Sequence, residues 1–233
     1  MKENCNSELW RKVNSKGFHP NHVAEVGVGY PNTSNVYGYI EMGVKTTLVE
    51  PNPDSILLIK EKFDGKNITL HQAAICDYSG EVELCMRQSS TFVADLTSSP
   101  ALVNDSCNIA ASTKKVVKAL RFDEVDDGTI ELLSIDTEGS EWFVLKNMVS
   151  RPAVISVETH GGIYQNPYLE QILDWLQRNR YKLWYKDKSD SVFVLESQIP
   201  VTSGERITLL FSNLKIALKS FKKRLSKRIK AEK

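Results

Sequence analysis

The chain has 233 residues, of which 41% are hydrophobic and 25% are charged, with only 12 Gly and 8 Pro. These values suit one globular domain with at most an appendage, and they exclude a collagen, a disulfide mini-scaffold and a wholly disordered chain. No run of about 18 apolar residues occurs, so no transmembrane helix is predicted. The four cysteines form no CxxC pair and the N-terminus lacks the apolar stretch of a signal peptide, so a cytoplasmic location is expected.

The net charge of +1 conceals an uneven distribution along the chain. Residues 205–233 contain 10 Lys and Arg against 2 Asp and Glu, a net charge of +8; the rest contains 20 basic and 27 acidic residues, a net charge of −7. Tight binding to nucleic acid needs a basic surface. An acidic body with a basic tail therefore predicts no nucleic-acid partner for the body.

The body is predicted to alternate between strands and helices. Short apolar or β-branched runs indicate strands at 22–29, 45–50, 68–76, 81–87, 130–136, 153–159, 181–186 and 191–195. Helices are indicated at 7–16, 33–42, from an N-cap at Asp54 to Phe63, 141–148 and 167–178. Residues 88–114 are rich in Ser, Thr and Asn and are expected to form an irregular substrate loop. The alternation predicts an α/β fold with a largely parallel sheet, whose ligands bind at the C-terminal strand ends.

A glycine turn, Glu25-Val26-Gly27-Val28-Gly29, ends the first predicted strand. Glycines at such a place let a ligand approach the backbone, and a carboxylate beside them favours an ammonium-bearing ligand. The dinucleotide fingerprint GxGxxG would place a third glycine where this chain has Asn32, which counts against NAD or FAD. A NAD(P)-dependent oxidoreductase stays an alternative, as does a plain strand-to-helix turn.

Two acidic residues follow the next predicted strands. Glu50 lies 21 residues after Gly29, where a carboxylate can accept two hydrogen bonds from a ribose diol, or simply remain solvated. Asp77 follows the third predicted strand, where it could contact an adenine amine or form a turn before Gly80.

The chain resembles the FkbM family of S-adenosylmethionine-dependent methyltransferases. The resemblance lies in GFHPNHVAEVGVG (17–29), LVEPNP (48–53), AAICDYSGEVEL (73–84) and LLSIDTEGSEWFVLKNM (132–148). It implies a class I methyltransferase (Rossmann-like) fold, a seven-stranded mostly parallel sheet with helices on both faces and an antiparallel last strand. It also implies S-adenosylmethionine as the methyl donor and methyl transfer, mostly to a hydroxyl and often on a sugar. Members usually carry Asp at the position of Glu25. We expect the cofactor to be held by Glu25, Gly27, Gly29, Asn32, Glu50, Asp77 and Asp136.

Methyl transfer to a hydroxyl requires an aligned acceptor and a group that takes its proton. We expect Asp136, Glu138 and His160 to line the reaction site, with strand alternation placing Glu158 and His160 on one face. A variant is a Mg²⁺ site formed by Asp136, Glu138 and Glu158, since oxygen ligands suit that ion. Alternatively, the acidic run stabilises a helix start near Ser140, and His160 is a loop residue.

The basic tail contains apolar residues spaced by three and four, which predicts an amphipathic helix. They are Ile207, Leu210, Phe211, Leu214, Leu218, Phe221, Leu225 and Ile229. We therefore divide the chain into a methyltransferase domain (1–204) and a basic amphipathic tail (205–233). The tail suits peripheral contact with the inner face of a membrane, contact with a partner protein, packing on the acidic body or pairing in a homodimer. A solvated, partly frayed tail is a further alternative.

The sequence thus predicts an S-adenosylmethionine-dependent O-methyltransferase acting on a hydroxyl of a sugar, a glycan or a glycosylated intermediate. The two alternatives are the NAD(P)-dependent oxidoreductase and a non-catalytic membrane or partner adaptor on the same architecture.

Overall fold

The computed structural model of the chain describes residues 7–86, 91–93, 113–161, 164–187, 189–214 and 216. The strands are β1 (His22–Val26), β2 (Lys45–Val49), β3 (Ile68–His71), β4 (Ala74–Ile75), β5 (Gly80–Met86), β6 (Thr91–Val93), β7 (Thr113–Leu120), β8 (Leu132–Ile135), β9 (Val154–Glu158), β10 (His160–Gly161), β11 (Tyr164–Gln165), β12 (Tyr181–Lys186) and β13 (Asp190–Leu195). The α-helices are α1 (Glu8–Ser15), α2 (Tyr37–Glu41), α3 (Pro53–Lys62), α4 (Glu141–Lys146), α5 (Leu169–Arg178) and α6 (203–214). Within the described ranges, short 3-10 helices lie at Pro31–Thr33 and Phe122–Glu124.

Seven strands form the main sheet in the order β3-β2-β1-β8-β9-β13-β12. Neighbours from β3 to β9 pair in parallel, and β13 lies antiparallel between β9 and β12. The strands β1, β8 and β9 are buried along their whole length, as expected of apolar strands covered on both faces. This strand order confirms the predicted class I methyltransferase architecture, and it places the C-terminal ends of β1, β2, β8 and β9 along one edge.

The core is divided between the two faces of this sheet. Leu133 packs with residues of α4 and α5, whereas its neighbour Leu132 packs with residues of α1, α2 and α3. Successive residues of a strand point to opposite faces. The predicted arrangement of helices on both faces is therefore confirmed.

A second sheet departs from the sequence prediction. Its order is β4-β7-β5-β6, and β7 is an eight-residue strand that the sequence analysis missed. The exposed side chains of Lys114, Lys115 and Lys118 hide the strand signal of β7. The single predicted strand 68–76 is wrong, because β3 joins the main sheet and β4 joins the second one. Most of the predicted irregular stretch 88–114 lies outside the described residues.

Two predicted helix starts are also wrong. The N-cap of α3 is Asn52, whose side chain accepts a hydrogen bond from the backbone N–H of Asp54. The predicted helix 33–42 is broken into the 3-10 helix at Pro31–Thr33 and the five-residue α2. In dinucleotide-binding folds the pyrophosphate lies at the N-terminus of the long helix that directly follows the first strand. In this chain β1 is followed by the 3-10 helix and the short α2 instead.

Helix α6 begins with a capping box. Thr202 Oγ1 accepts from the N–H of Glu205 at 3.3 Å, and Glu205 Oε2 accepts from the N–H of Thr202 at 2.8 Å. Glu205 also accepts from Trp184 Nε1 (2.8 Å) and Lys16 Nζ (2.7 Å). The first turn of α6 is therefore attached to β12 and to the end of α1. Among the described helices, none is both long and apolar enough to cross a bilayer.

Candidate active site

The loop after β1 depends on two glycines with left-handed backbone angles. Gly27 has φ of +84°, and a Cβ added there would lie 1.7 Å from the backbone oxygen of Asp136. Gly29 has φ of +59°, and a Cβ there would meet no atom within 4 Å. Gly27 therefore lets two strand ends approach closely, whereas Gly29 borders open space into which a ligand can fit.

Glu50, at the end of β2, holds this loop. Its Oε2 accepts from the N–H of Gly29 at 2.7 Å, and its Oε1 accepts from the N–H of Asn52 at 2.8 Å. Burial raises the pKa of Glu50, and the hydrogen bonds from Gly29, Asn52 and Val28 counteract that rise. Each carboxylate oxygen can accept a further hydrogen bond, so Glu50 retains acceptor capacity for a diol beside Gly29.

Two predicted cofactor residues have other surroundings than expected. The buried carboxylate of Glu25 accepts from Ser34 Oγ and, at 2.8 Å, from the N–H of Asn35. It thus stabilises the segment after the glycine loop, and burial raises its pKa to about 7. Asn32 is exposed on the 3-10 helix and lies away from these bonds.

Asp77 is also engaged elsewhere. Its exposed carboxylate forms an ion pair of 2.7 Å with Lys146 at the end of α4. The pair joins the second sheet to α4. An adenine contact by Asp77 would have to coexist with this ion pair.

A group of carboxylates lies at the C-terminal ends of β8 and β9. Asp136, Glu141 and Glu158 each offer one oxygen within 4.8 Å of the others. Asp136 is half-buried and follows β8, Glu158 is buried at the end of β9, and Glu141 is fully buried at the start of α4. The sequence analysis singled out Asp136 and Glu158, and the structure brings them together.

Glu141 has a structural role within this group. Its Oε1 accepts from Thr137 N (2.9 Å), Thr137 Oγ1 (3.0 Å) and Gly139 N (3.0 Å), and its Oε2 accepts from Asn166 Nδ2. These donors hold the turn in which Glu138 takes a left-handed φ of 57°. Oε1 of Glu141 thus accepts three hydrogen bonds and Oε2 accepts one, and the carboxylate holds the turn before α4.

The predicted Mg²⁺ site is not assembled as predicted. Glu138 is not part of the convergent group, so only Asp136 and Glu158 of the predicted ligand set meet. The third carboxylate of the group is Glu141, whose two oxygens already accept hydrogen bonds from the turn before α4 and from Asn166. The described residues therefore do not bring the predicted three-carboxylate set together.

The electrostatics of the group favour protonated carboxyls. Burial raises the pKa of Glu158 to about 11, assisted by the neighbouring carboxylates of Asp136, Glu141 and Glu138. Burial and Asp190, the residue that pairs with Glu158 across β9 and β13, raise the pKa of Asp136 well above its ordinary range. A cationic ligand would relieve this repulsion and favour the charged forms.

Tyr164 adds a hydroxyl to the same place. Its side chain is only 3% exposed, and its hydroxyl has no hydrogen-bond partner among the described residues. Burial raises the pKa of Tyr164, and the carboxylates of Glu141, Glu158 and Asp136 raise it further, which places the hydroxyl within their electrostatic reach. No local sequence signal places Tyr164 near the acids, because its position there depends on the short β10–β11 hairpin.

His160 faces another way. The N–H groups of Thr159 and His160 both donate to the carbonyl of Ser189, so strand alternation breaks after Glu158. Burial and then Lys186 lower the pKa of His160, and Asp187 opposes them; none of the grouped carboxylates contributes. The prediction that Glu158 and His160 share one face is therefore wrong.

The chain is similar to several solved methyltransferase structures. They include the ribosomal protein L11 methylase of Lactobacillus delbrueckii subsp. bulgaricus (13% identity, TM-score 0.41, covering 79% of this chain and 74% of that one). A SAM-dependent methyltransferase from Aquifex aeolicus shows 10% identity and a TM-score of 0.39, covering 80% and 87%. The Burkholderia thailandensis 1,6-didemethyltoxoflavin-N1-methyltransferase, solved with S-adenosylhomocysteine, shows 10% identity and a TM-score of 0.40, covering 83% and 77%.

No curated protein sequence matches the chain. The sequence pattern of the methyltransferase FkbM domain, however, matches residues 22–183, which include the glycine loop, Glu50 and the carboxylate group. The match spans more than half of the chain and rules out the oxidoreductase alternative. The chain therefore belongs to the FkbM methyltransferase domain family and is an S-adenosylmethionine-dependent methyltransferase.

Proposed function

We propose that this methyltransferase methylates a hydroxyl of a sugar, a glycan or a glycosylated intermediate. The observation that carries the proposal is the pair Asp136 and Glu158, two carboxyls with raised pKa beside the cofactor loop. Gly27 is in direct backbone contact with Asp136, so the cofactor loop and this pair adjoin.

The cofactor would lie along the loop of Gly27–Gly29. Gly29 leaves the space, and Glu50 has acceptor capacity for the ribose hydroxyls. Bound S-adenosylmethionine supplies an activated methyl on a positively charged sulfur. Because its net charge is positive, it also suits an edge of the sheet that is lined with carboxylates.

Asp136 and Glu158 would then receive the acceptor. A hydroxyl oxygen forms the new bond to the methyl carbon, the carbon–sulfur bond breaks with its electron pair remaining on sulfur, and the hydroxyl proton passes to a carboxylate. Binding of the cationic donor favours the ionised form of the carboxyl, which then releases its proton to solvent. A carboxylate whose pKa is raised is a stronger base than an ordinary one. We assign Asp136, the less buried of the two, as the base that accepts this proton. We assign Glu158 as the group that positions a second hydroxyl of the acceptor.

The choice of acceptor follows from hydrogen-bonding capacity. Ionised carboxylates only accept hydrogen bonds, so their complement is a molecule rich in donors. Neighbouring hydroxyls of a sugar meet this need. The place after β8 reads Asp136-Thr137-Glu138-Gly139, which differs from the Asn/Asp-Pro-Pro-aromatic run of adenine methyltransferases and favours a hydroxyl over a nucleobase amine.

The test is methyl transfer from labelled S-adenosylmethionine to a panel of mono- and oligosaccharides, with amine-bearing acceptors as the comparison. We expect Asp136→Asn to lower kcat by about 10²–10⁴-fold with S-adenosylhomocysteine affinity retained, the range for loss of a general base. Asp174→Asn, an exposed carboxylate on α5, is the matched control and should leave kcat unchanged.

Labelling of an amine in preference to any hydroxyl would contradict the proposal. Unchanged kcat in Asp136→Asn would contradict the assigned base. Cofactor binding without transfer to any acceptor would favour the non-catalytic adaptor.

A further inference from the structure

Helix α6 turns its larger apolar side chains away from the protein. Half-buried residues of α6 are spaced three and four apart and face the body: Glu205, Leu209, Ser212 and Asn213. The opposite side carries Ile207, Leu210, Phe211 and Leu214, which are 55%, 69%, 69% and 58% exposed. We name these four residues the outward stripe. A helix that packed its apolar side against its own body would bury these four side chains and expose its polar ones.

The orientation of α6 is fixed by its first turn. Glu205 accepts from Lys16 and Trp184, and Arg206 forms an ion pair with Glu196 after β13. These contacts come from the body-facing side and the flank of the helix. They hold the outward stripe in its exposed position.

The sequence after α6 continues the same pattern. Leu218, Phe221, Leu225 and Ile229 extend the spacing of three and four, and residues 205–233 hold a net charge of +8. The apolar repeat is thus joined to a dense positive charge, which is the combination that binds the headgroup region of acidic membranes.

We propose that the outward stripe and the basic sequence after it bind the surface of a membrane that contains anionic lipids. The stripe would enter the boundary between headgroups and acyl chains, and the Lys and Arg residues would contact the lipid phosphates and carboxylates. Charge complementarity selects this occupant, because two copies that paired through the same segments would bring two charges of +8 together. The proposal is independent of the acceptor hydroxyl.

Flotation of the full chain with vesicles tests this docking. We expect binding to phosphatidylcholine vesicles containing about 30% phosphatidylglycerol, weak binding to pure phosphatidylcholine, and loss of binding as salt rises. Phe211→Glu should weaken partitioning by about tenfold, since it removes a large apolar contact. Thr208→Glu adds the same charge at an exposed position of the same helix outside the stripe and is the matched control. It should weaken partitioning by much less.

Three outcomes would overturn the proposal. Equal binding to neutral and acidic vesicles would show that the positive charge does not drive binding. Equal effects of Phe211→Glu and Thr208→Glu on partitioning would show that the outward stripe does not enter the membrane. No vesicle binding, together with a dimer in sedimentation that Phe211→Glu dissociates, would show that a second copy covers the stripe.

Discussion

Gly27 and Gly29 are two residues apart, and glycine is required at each for a different reason. At Gly27 a side chain would collide with the backbone of Asp136, whereas at Gly29 only the left-handed φ disfavours a side chain. The collision involves backbone on both sides, so no rotamer change can relieve it.

We expect Gly27→Ala to lower the free energy of unfolding by about 3 kcal/mol or more, because strand ends must separate. Gly29→Ala should cost about 1–2 kcal/mol, the strain of the backbone angle alone. Urea unfolding of the two variants measures the difference. Equal losses would show that the close approach of Gly27 to Asp136 is not a constraint.

Glu50, Glu25 and His160 show which features of the site could be predicted from the sequence and which could not. The position of Glu50 after β2 was predictable, because its distance from the glycine turn follows from the length of one βαβ unit. The partners of Glu25 were not, since they lie on a segment whose helix breaks unexpectedly at Ser34 and Asn35. His160 was misplaced because strand alternation ends one residue before it.

The start of helix α4 depends on the buried carboxylate of Glu141, to which we assign a structural and not a catalytic role. This carboxylate accepts hydrogen bonds from Thr137 and Gly139 before the helix and from Asn166, which follows β11. It therefore shapes the turn that presents Asp136.

Glu141→Gln should lower the free energy of unfolding by about 2–4 kcal/mol, since an amide group would face donors that then lose their acceptor. Glu170→Gln makes the same change at an exposed position in the first turn of α5 and should alter stability by less than about 0.5 kcal/mol. Chemical denaturation of both variants checks the contrast. A small loss in Glu141→Gln would mean that the turn before α4 is held by other contacts.

The elements that were predicted well are those with strong local signals. β1, β8 and β9 are short, mostly apolar runs, and α5 has a clear amphipathic period. The eight-residue β7, which pairs antiparallel with β5 and parallel with β4, was missed because its exposed side chains include Lys114, Lys115 and Lys118. Its pairing partner β5 is about 30 residues away, which no local pattern reveals.

The whole molecule holds several buried carboxyls with raised pKa. A raised pKa means that the folded chain keeps a proton that the unfolded chain has released, so stability is greatest below the ordinary carboxyl pKa and falls as pH rises. Glu158, with a pKa of about 11, stays protonated through neutral pH, and Asp136 acts in the same direction.

Between pH 7 and 8 we expect the ligand-free protein to lose about 1.4 kcal/mol of stability through Glu158, and Asp136 adds to the loss in the same direction. The histidines whose pKa is lowered, among them His22 and His160, act in the opposite direction only below about pH 6.5. Urea unfolding at stepped pH measures the slope. Glu158→Gln should flatten it, and Glu170→Gln should not. Stability that is level or rising over this window would mean that the carboxylates are ionised and compensated.

We propose that the loop of Gly27–Gly29, held by Glu50, is the cofactor site of a working methyltransferase. The decisive experiment is calorimetric titration of the full chain with S-adenosylhomocysteine, with Glu50→Ala and the milder Glu50→Gln as variants and circular dichroism as the check on folding. We predict one site with micromolar affinity in the natural chain, weakened by at least about tenfold in folded Glu50→Gln and retained in Glu170→Gln. Absence of binding by the folded natural chain, or equal binding by Glu50→Gln, would show that this loop held by Glu50 is not the cofactor site.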